Sequence, residues 1–157
     1  MSAANRSAAS VDLSALLLPV AGELLVVPSE LVVEIIRVRP LERPEQAPQW
    51  LLGEFAWHGD RLRVLSFDAL NSNGKPSEQV GSRLVILRMV ESSERAQRNY
   101  AILTHGVPHL MRLVPDSLTR VQSALLGPAE RMKVNIFGQD GSIPDLDYLE
   151  RHALMPL

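Results

Sequence analysis

Trp50 to Leu70 (WLLGEFAWHGDRLRVLSFDAL) constrains the fold most. Gly53, Phe55 and Trp57 share one parity and Glu54 and Ala56 the other, the period of two of a half-buried strand. His58-Gly59-Asp60 then places a residue free to take positive φ between polar neighbours, which reads as a hairpin reversal. In the return arm Arg61 and Arg63 alternate with Leu62 and Val64. The alternation is lost in Val64-Leu65-Ser66-Phe67, as a bulge or burial on both faces would produce. Asp68 closes the arm as a turn residue.

The same strand-turn-strand grammar recurs along the chain. Leu16–Val20 and Leu24–Val27 flank Ala21-Gly22-Glu23, a hairpin whose first arm is expected at an edge, or bulged, at Pro19, which lacks a ladder donor. From Ser29 the pattern is ambiguous. Leu31, Val32, Ile35 and Ile36 suit the apolar face of a short helix, and the β-branched run Val32-Val33 and Ile35-Ile36 suits a strand equally well. Arg37 to Leu41 reads as extended before Pro40, and the proline-rich segment 42–48 as a loop.

Asn71 to Ser82 reads as an exposed loop, Arg83–Val90 as a buried strand, 91–98 as a charged turn and Tyr100–Thr104 as its hairpin partner. His109–Val114 is a further strand. Asp116 to Leu126 follows Pro115 with Leu118, Val121, Leu125 and Leu126 apolar, and predicts a helix. A third hairpin is expected to turn at Gln139-Asp140-Gly141. A terminal helix over 144–151 has carboxylates in its first turn, where the helix dipole favours them.

With 157 residues and 46% hydrophobic side chains the chain can bury a core in one domain, and only 4% aromatics leave Val, Leu and Ile to fill it. Residues 1–14 are expected as a flexible extension and 15–157 as the domain. A net charge of −2 gives no electrostatic reason to expect nucleic acid. No cysteine is present, so neither disulfides nor thiolate metal sites arise. The longest apolar stretch, Leu13–Val27, is broken by Ser14, Pro19, Gly22 and Glu23, unlike a membrane span, and a cytoplasmic protein is expected.

Catalytic patterns are hard to find. His105 and His109 have a metal-compatible spacing of four only on a helix, and Pro108 between them argues for ordinary surface histidines. Asp140, Asp145, Asp147 and Glu150 lack calcium-loop spacing. Glu34 and Asp68 have nothing in the sequence to bring them together as an acid/base pair. Neither a nucleophile elbow nor a phosphate loop occurs. Arg61 and Arg63 are expected to be solvated on the outer strand face. Trp50, Phe55 and Trp57 read first as core and second as a protein interface, where aromatic and Arg side chains carry energy.

Taken in order, these elements resemble the CheW-like domain of bacterial chemosensory adaptors. Val32-Val33-Glu34-Ile35 is similar to its "V-x-E-I" step. Ala47-Pro48, Gly53, His58-Gly59 and Asp68-Ala69-Leu70 follow its "P…G…(R)G…P-x-x-D-L" order. Val134–Leu154 is similar to its closing strand, "D-G" turn, strand and helix. Departures are His58 for the usual Arg, no Pro at Val64 or Leu65, and Thr104-His105-Gly106-Val107 for "V-D-E-V"; they resemble a divergent, ChpC-like member of type IV pilus (twitching) systems.

The resemblance implies a mainly β fold of two intertwined SH3-like five-stranded β-barrels with a few short helices, with no catalysis, cofactor or metal. It implies an adaptor between a methyl-accepting chemoreceptor and the CheW-like regulatory domain of a CheA-type histidine kinase. It places the protein-interaction residues at Val32, Glu34, Ile35, Gly53, His58 and Gly59, with backbone geometry the plainer role for both glycines. Histidine at 58 would replace a permanent charge by one that titrates near neutral pH. Two alternatives remain: a small-molecule-binding or enzymatic β-barrel with a deep polar pocket, and a CheW-like scaffold outside chemotaxis.

Overall fold

Strands built from unbroken apolar runs need cover on both faces, and the chain provides it by stacking two sheets around a shared core. The computed structural model describes residues 13–72, 83–90, 98–122 and 125–157. The first sheet is six-stranded, in the order β8-β1-β2-β11-β10-β9, and the second five-stranded, in the order β3-β6-β7-β5-β4. The first contains β1 (Leu13–Val20), β2 (Glu23–Pro28), β8 (His109–Leu113), β9 (Leu118–Arg120), β10 (Glu130–Ile136) and β11 (Gln139–Pro144). The second contains β3 (Val32–Arg37), β4 (Leu51–Trp57), β5 (Asp60–Leu65), β6 (Arg83–Arg88) and β7 (Asn99–Thr104). The chain thus starts one sheet, builds the whole of the other, and returns. Each sheet is joined by one short parallel pairing, β2 with β11 and β5 with β7.

Alternation along β1 sorts its side chains between two cores. Leu16 and Leu18 face the shared core with Leu25, Val85, Leu87, Tyr100 and Ile102. Ala15 and Leu17 face a second core within the first sheet, beside Val26, Val134 and Ile136. A third core lies within the second sheet, around Phe55, Leu62, Val64 and Ile86. Helices α1 (Phe67–Ser72) and α2 (Leu146–Leu154) cover the shared core with Phe67, Leu70, Leu149 and Ala153. Asp145 caps α2, its carboxylate accepting from the Tyr148 N–H at 3.1 Å. Asp145→Ala is expected to cost about 1 kcal/mol, read as a lower urea midpoint with an unchanged slope.

Several expectations change. The described residues of the 116–126 segment, 116–122 and 125–126, are not a helix: β9 pairs with β10, and Ser117 turns the chain by hydrogen-bonding Val114. Of the apolar positions in that spacing, Leu118 packs against the second core, whereas Leu125 is 94% exposed and Leu126 half-exposed. This strand is also why the first sheet has six members rather than five.

The third hairpin turns at Phe137-Gly138, both with positive φ (49° and 89°), so Gln139-Asp140-Gly141 is strand. Gly141 is there for closeness: a Cβ would lie 2.6 Å from the Ile136 Cδ1 and 2.9 Å from the Leu24 carbonyl oxygen.

At the irregular end of the central hairpin the chain is buried on both faces rather than bulged in β5, Val64 packing in the second-sheet core and Leu65 and Phe67 in the shared core, and a helix starts there. The Ser66 hydroxyl accepts from the Ala69 N–H at 3.2 Å and Phe67 opens α1, while the bulge lies in β4, between Leu51 and Gly53. Asn71 ends in this helix rather than in a loop. Ser72 is in the same helix, residues 73–82 of the expected loop lie outside the described residues, and so does nearly all of the 91–98 turn. The ambiguity after Ser29 resolves as one 3-10 turn (Ser29–Leu31) running into β3. Pro19 pairs with Leu24 beyond the end of the β1–β8 ladder, which stops at Leu17, so β1 is interior but open at its proline.

Candidate interaction surface

Strand β3 is an edge, hydrogen-bonded only to β6, and a bulge between Val32 and Glu34 adds one residue, Val33. Val32 stays half-buried against the shared core and Ile36 against the second-sheet core. Val33, Glu34 and Ile35 are left facing solvent, with Val38 just beyond. Apolar β-branched side chains beside a carboxylate on an open edge form a patch that the fold itself does not require.

The central hairpin reaches this edge. Its two-residue turn, His58-Gly59, has positive φ at both positions (47° and 84°), as a primed turn that follows strand twist requires. Trp57 donates its indole N–H to a Glu34 carboxylate oxygen at 3.2 Å. The His58 Nε2 lies 4.0 Å from the same oxygen, with side chains 73% and 48% exposed. The Trp57 and His58 rings meet edge to face at 4.5 Å. At this exposure the contact contributes little stability and serves mainly to orient the carboxylate. Histidine, like asparagine and aspartate, is among the side chains that accept a left-handed turn, whereas a β-branched residue is not. His58→Val is therefore expected to lower stability by roughly 1 kcal/mol, seen as a lower thermal midpoint.

Of the six sequence-derived residues, Glu34, Ile35, His58 and Gly59 are exposed around this edge, and Val32 underlies it. Gly53 is elsewhere. It is buried at φ 152°, and a Cβ would lie 2.7 Å from the Leu41 Cβ and 3.2 Å from the Glu42 carbonyl oxygen. It lets the segment after β3 bridge onto β4, where Glu42 and Glu54 exchange backbone hydrogen bonds of 2.9 and 2.8 Å. Sequence reading had not singled out Val33 or Val38 as surface residues, since a β-branched run looks the same in a core strand and at an edge.

Several other charged groups are structural. Arg63 is not solvated: its guanidinium donates to the His152 and Met155 carbonyl oxygens (3.1 and 2.7 Å), capping the C-terminal end of α2. Arg61 pairs with Glu54 at 3.3 Å and Glu42 at 3.6 Å. His105 is not a surface histidine either. Its Nε2 lies 2.9 Å from Asp68, whose other oxygen accepts from the Ala21 N–H, so the pair ties β7, α1 and the first hairpin together. Glu34 and Asp68 thus belong to separate pairs.

Lys133 of β10 lies opposite Ser142 of β11, which lies opposite Leu25 of β2, and Glu23 is two residues from Leu25 along the same strand. The Lys133 ammonium is 3.3 Å from Glu23 and 2.6 Å from Glu130, whose side chain is 1% exposed. Burial, then the neighbouring Glu130 carboxylate, push Glu23 above the usual carboxylate range. Burial would raise Glu130 too, but hydrogen bonds from Lys133 and the Gly127 N–H hold it below that range. The two carboxylates in turn raise Lys133 against its own desolvation.

Among the described residues, no three His, Asp or Glu side chains are grouped to hold a metal, and no helix is long and apolar enough to cross a membrane. A family model of the CheW-like domain matches residues 14–142, most of the chain.

The chain belongs to the CheW-like domain family.

The crystal structure of the scaffolding protein TtCheW from Thermoanaerobacter tengcongensis superposes with a TM-score of 0.69, covering 87% of this chain and 86% of that one. The two sequences are 13% identical, so the likeness is one of fold. No curated protein matches the chain closely enough to count as a relative. Within this CheW-like domain, the edge around Glu34 is a surface whose exposed apolar side chains the three cores leave unexplained.

Proposed function

We propose that this CheW-like protein is a non-catalytic cytoplasmic adaptor. It couples a methyl-accepting chemoreceptor to the regulatory domain of a CheA-type histidine kinase, in a ChpC-like role in type IV pilus twitching. The observation that carries this reading is the Glu34 carboxylate, held by Trp57 and His58 on an open strand edge between exposed Val33 and Ile35. An apolar patch with a charged centre suits reversible protein docking, the charges setting partner choice and the apolar groups the affinity. The competing reading, a small-molecule or enzymatic barrel, has less support. A depression of about 380 Å³ lined by Glu54, Arg61 and Arg63 is open, and those side chains are already paired with one another or with α2.

The test is co-purification with the kinase regulatory domain and with a receptor signalling tip. Wild type is expected to be retained by at least one of them. Glu34→Lys and His58→Glu should each weaken retention tenfold or more while leaving thermal stability nearly unchanged. Absence of wild-type binding to either partner would sink the adaptor reading. Deletion of the gene should impair twitching and spare flagellar swimming; the reverse pattern would reject the pilus assignment alone.

A further inference from the structure

Arg61, Arg63 and Arg98 wall one depression of about 380 Å³, between β5, the start of β7 and the end of α2. Glu54 completes its polar wall, Leu154 flanks it, and the buried Met89 and Ala153 lie beneath. In the parallel β5–β7 ladder Val64 pairs with Ala101 and Leu65 with Ile102. Carried back to Arg61, that register sets it level with Arg98, on the face that Arg63 shares with Leu65 and Tyr100. Leu62 points the other way, into the second-sheet core. Asp60 and Asn99 share its parity, so all of these contribute main chain rather than side chain to the depression. The side chains that face it are three guanidiniums, of Arg61, Arg63 and Arg98, against the single carboxylate of Glu54.

The ion pairs already made fix two of these forks without exhausting them. Arg61 turns Nε to Glu54 and Nη1 to Glu42. Arg63 spends Nη1 on the two α2 carbonyls and rests Nε 3.7 Å from Glu54. Each keeps Nη2 uncommitted. Arg98 is exposed, has no ion pair among the described residues, and keeps its whole fork. Guanidiniums this close repel one another unless an anion sits between them.

A surplus of two positive charges and several free donors calls for a compact dianion with more than two acceptor oxygens. A phosphate monoester meets both conditions, being close to doubly charged at neutral pH and presenting three oxygens to planar forks. A carboxylate supplies one charge and two oxygens. An extended polyanion would meet Glu42 and Glu54 at the rim, and the depression has the size of a small-ligand pocket. We propose that this depression binds a phosphate monoester, its phosphoryl oxygens held by Arg98 and by the Nη2 groups of Arg61 and Arg63, its carbon stem against Leu154. Because the ion pairs hold Arg61 and Arg63 before the ligand arrives, binding orders mainly one side chain, Arg98. The site uses neither Glu34 nor His58 and does not depend on the adaptor reading.

Isothermal titration calorimetry of the full chain at low salt tests it. Glycerol 3-phosphate and an O-phosphoserine peptide are the probes, one a metabolite and the other a modified side chain. At least one is expected to bind with a Kd of roughly 0.1–1 mM, and the tighter of the two identifies the source. Methyl sulfate, tetrahedral but singly charged, should bind about tenfold more weakly. Arg98→Ala should weaken the monoester by about tenfold or more at an unchanged thermal midpoint, because that side chain supports nothing else. Arg98→Lys keeps the charge without the fork and should recover part of the loss. Arg131→Ala removes another exposed arginine, on β10 in the other sheet, and should bind as wild type does. No binding of either monoester up to about 10 mM, wild-type affinity in Arg98→Ala, or an equal loss in Arg131→Ala would overturn the proposal.

Discussion

Lys133→Met is expected to destabilise the protein by about 3 kcal/mol at neutral pH, because it leaves the Glu23 and Glu130 carboxylates facing each other at the edge of the shared core without their cation. Methionine keeps most of the stem, so lost packing is a minor part of the effect. The pH dependence separates the electrostatic cause from the rest. In the wild type Glu23 is raised, so its contribution is complete below the ordinary carboxylate value and is lost as pH rises through its folded value. Glu130 is lowered, so its contribution is present above that ordinary value and is lost as pH falls through its folded one. Lys133 is raised, and its contribution persists to alkaline pH beyond the ordinary lysine value. Without Lys133 the pair binds a proton more tightly. The deficit of the variant should therefore shrink as pH drops from neutral toward 4.5, the ordinary carboxylate value. Urea titrations at stepped pH measure this. Adding Glu23→Gln should recover a large part of the loss at neutral pH, and a deficit that ignores both pH and the second substitution would contradict the charge argument.

Gly53→Val should cost about 3–4 kcal/mol, the sum of a side chain forced to φ 152° and of steric overlap with Leu41 and the Glu42 carbonyl. The expected result is a large drop in urea midpoint and, on hydrogen exchange, early opening of the Glu42–Glu54 bridge. This outcome would give Gly53 a purely architectural role. A variant that stays as stable as wild type but no longer co-purifies with the kinase domain would return this glycine to the interface instead.

The central hairpin shows why some of this was legible in advance. Its two arms, its turn at His58-Gly59 and its inward parity follow from local rules: a period of two and a residue pair able to take positive φ. The same rules located β1, β2, β6, β7, β8, β10 and the terminal helix. They misplaced the last turn, since Asp140-Gly141 carries the stronger local turn signal. Gly141 is instead required by the approach of Ile136 and Leu24, a contact between strands that local sequence does not encode. The 116–126 segment failed for a related reason. Its helical spacing was real, but only Leu118 reaches a core while Val121, Leu125 and Leu126 stay exposed, and β10 offered an open ladder edge.

By itself, then, the sequence determined a mainly β chain of hairpins with a terminal helix, the turns at Gly22 and Gly59, and the family pattern that runs through them, because those depend on neighbours within a few residues. Tertiary structure alone decided which charges are available. Arg63 and His105 look like Arg61 and His109 in sequence, yet one clamps the end of α2 and the other joins three elements through Asp68. It also decided that the stretch from Trp50 to Leu70 sends Trp57 and His58 across to Glu34 and keeps Gly53 for packing. Strand pairing sets those distances, and it joins residues that no local pattern relates.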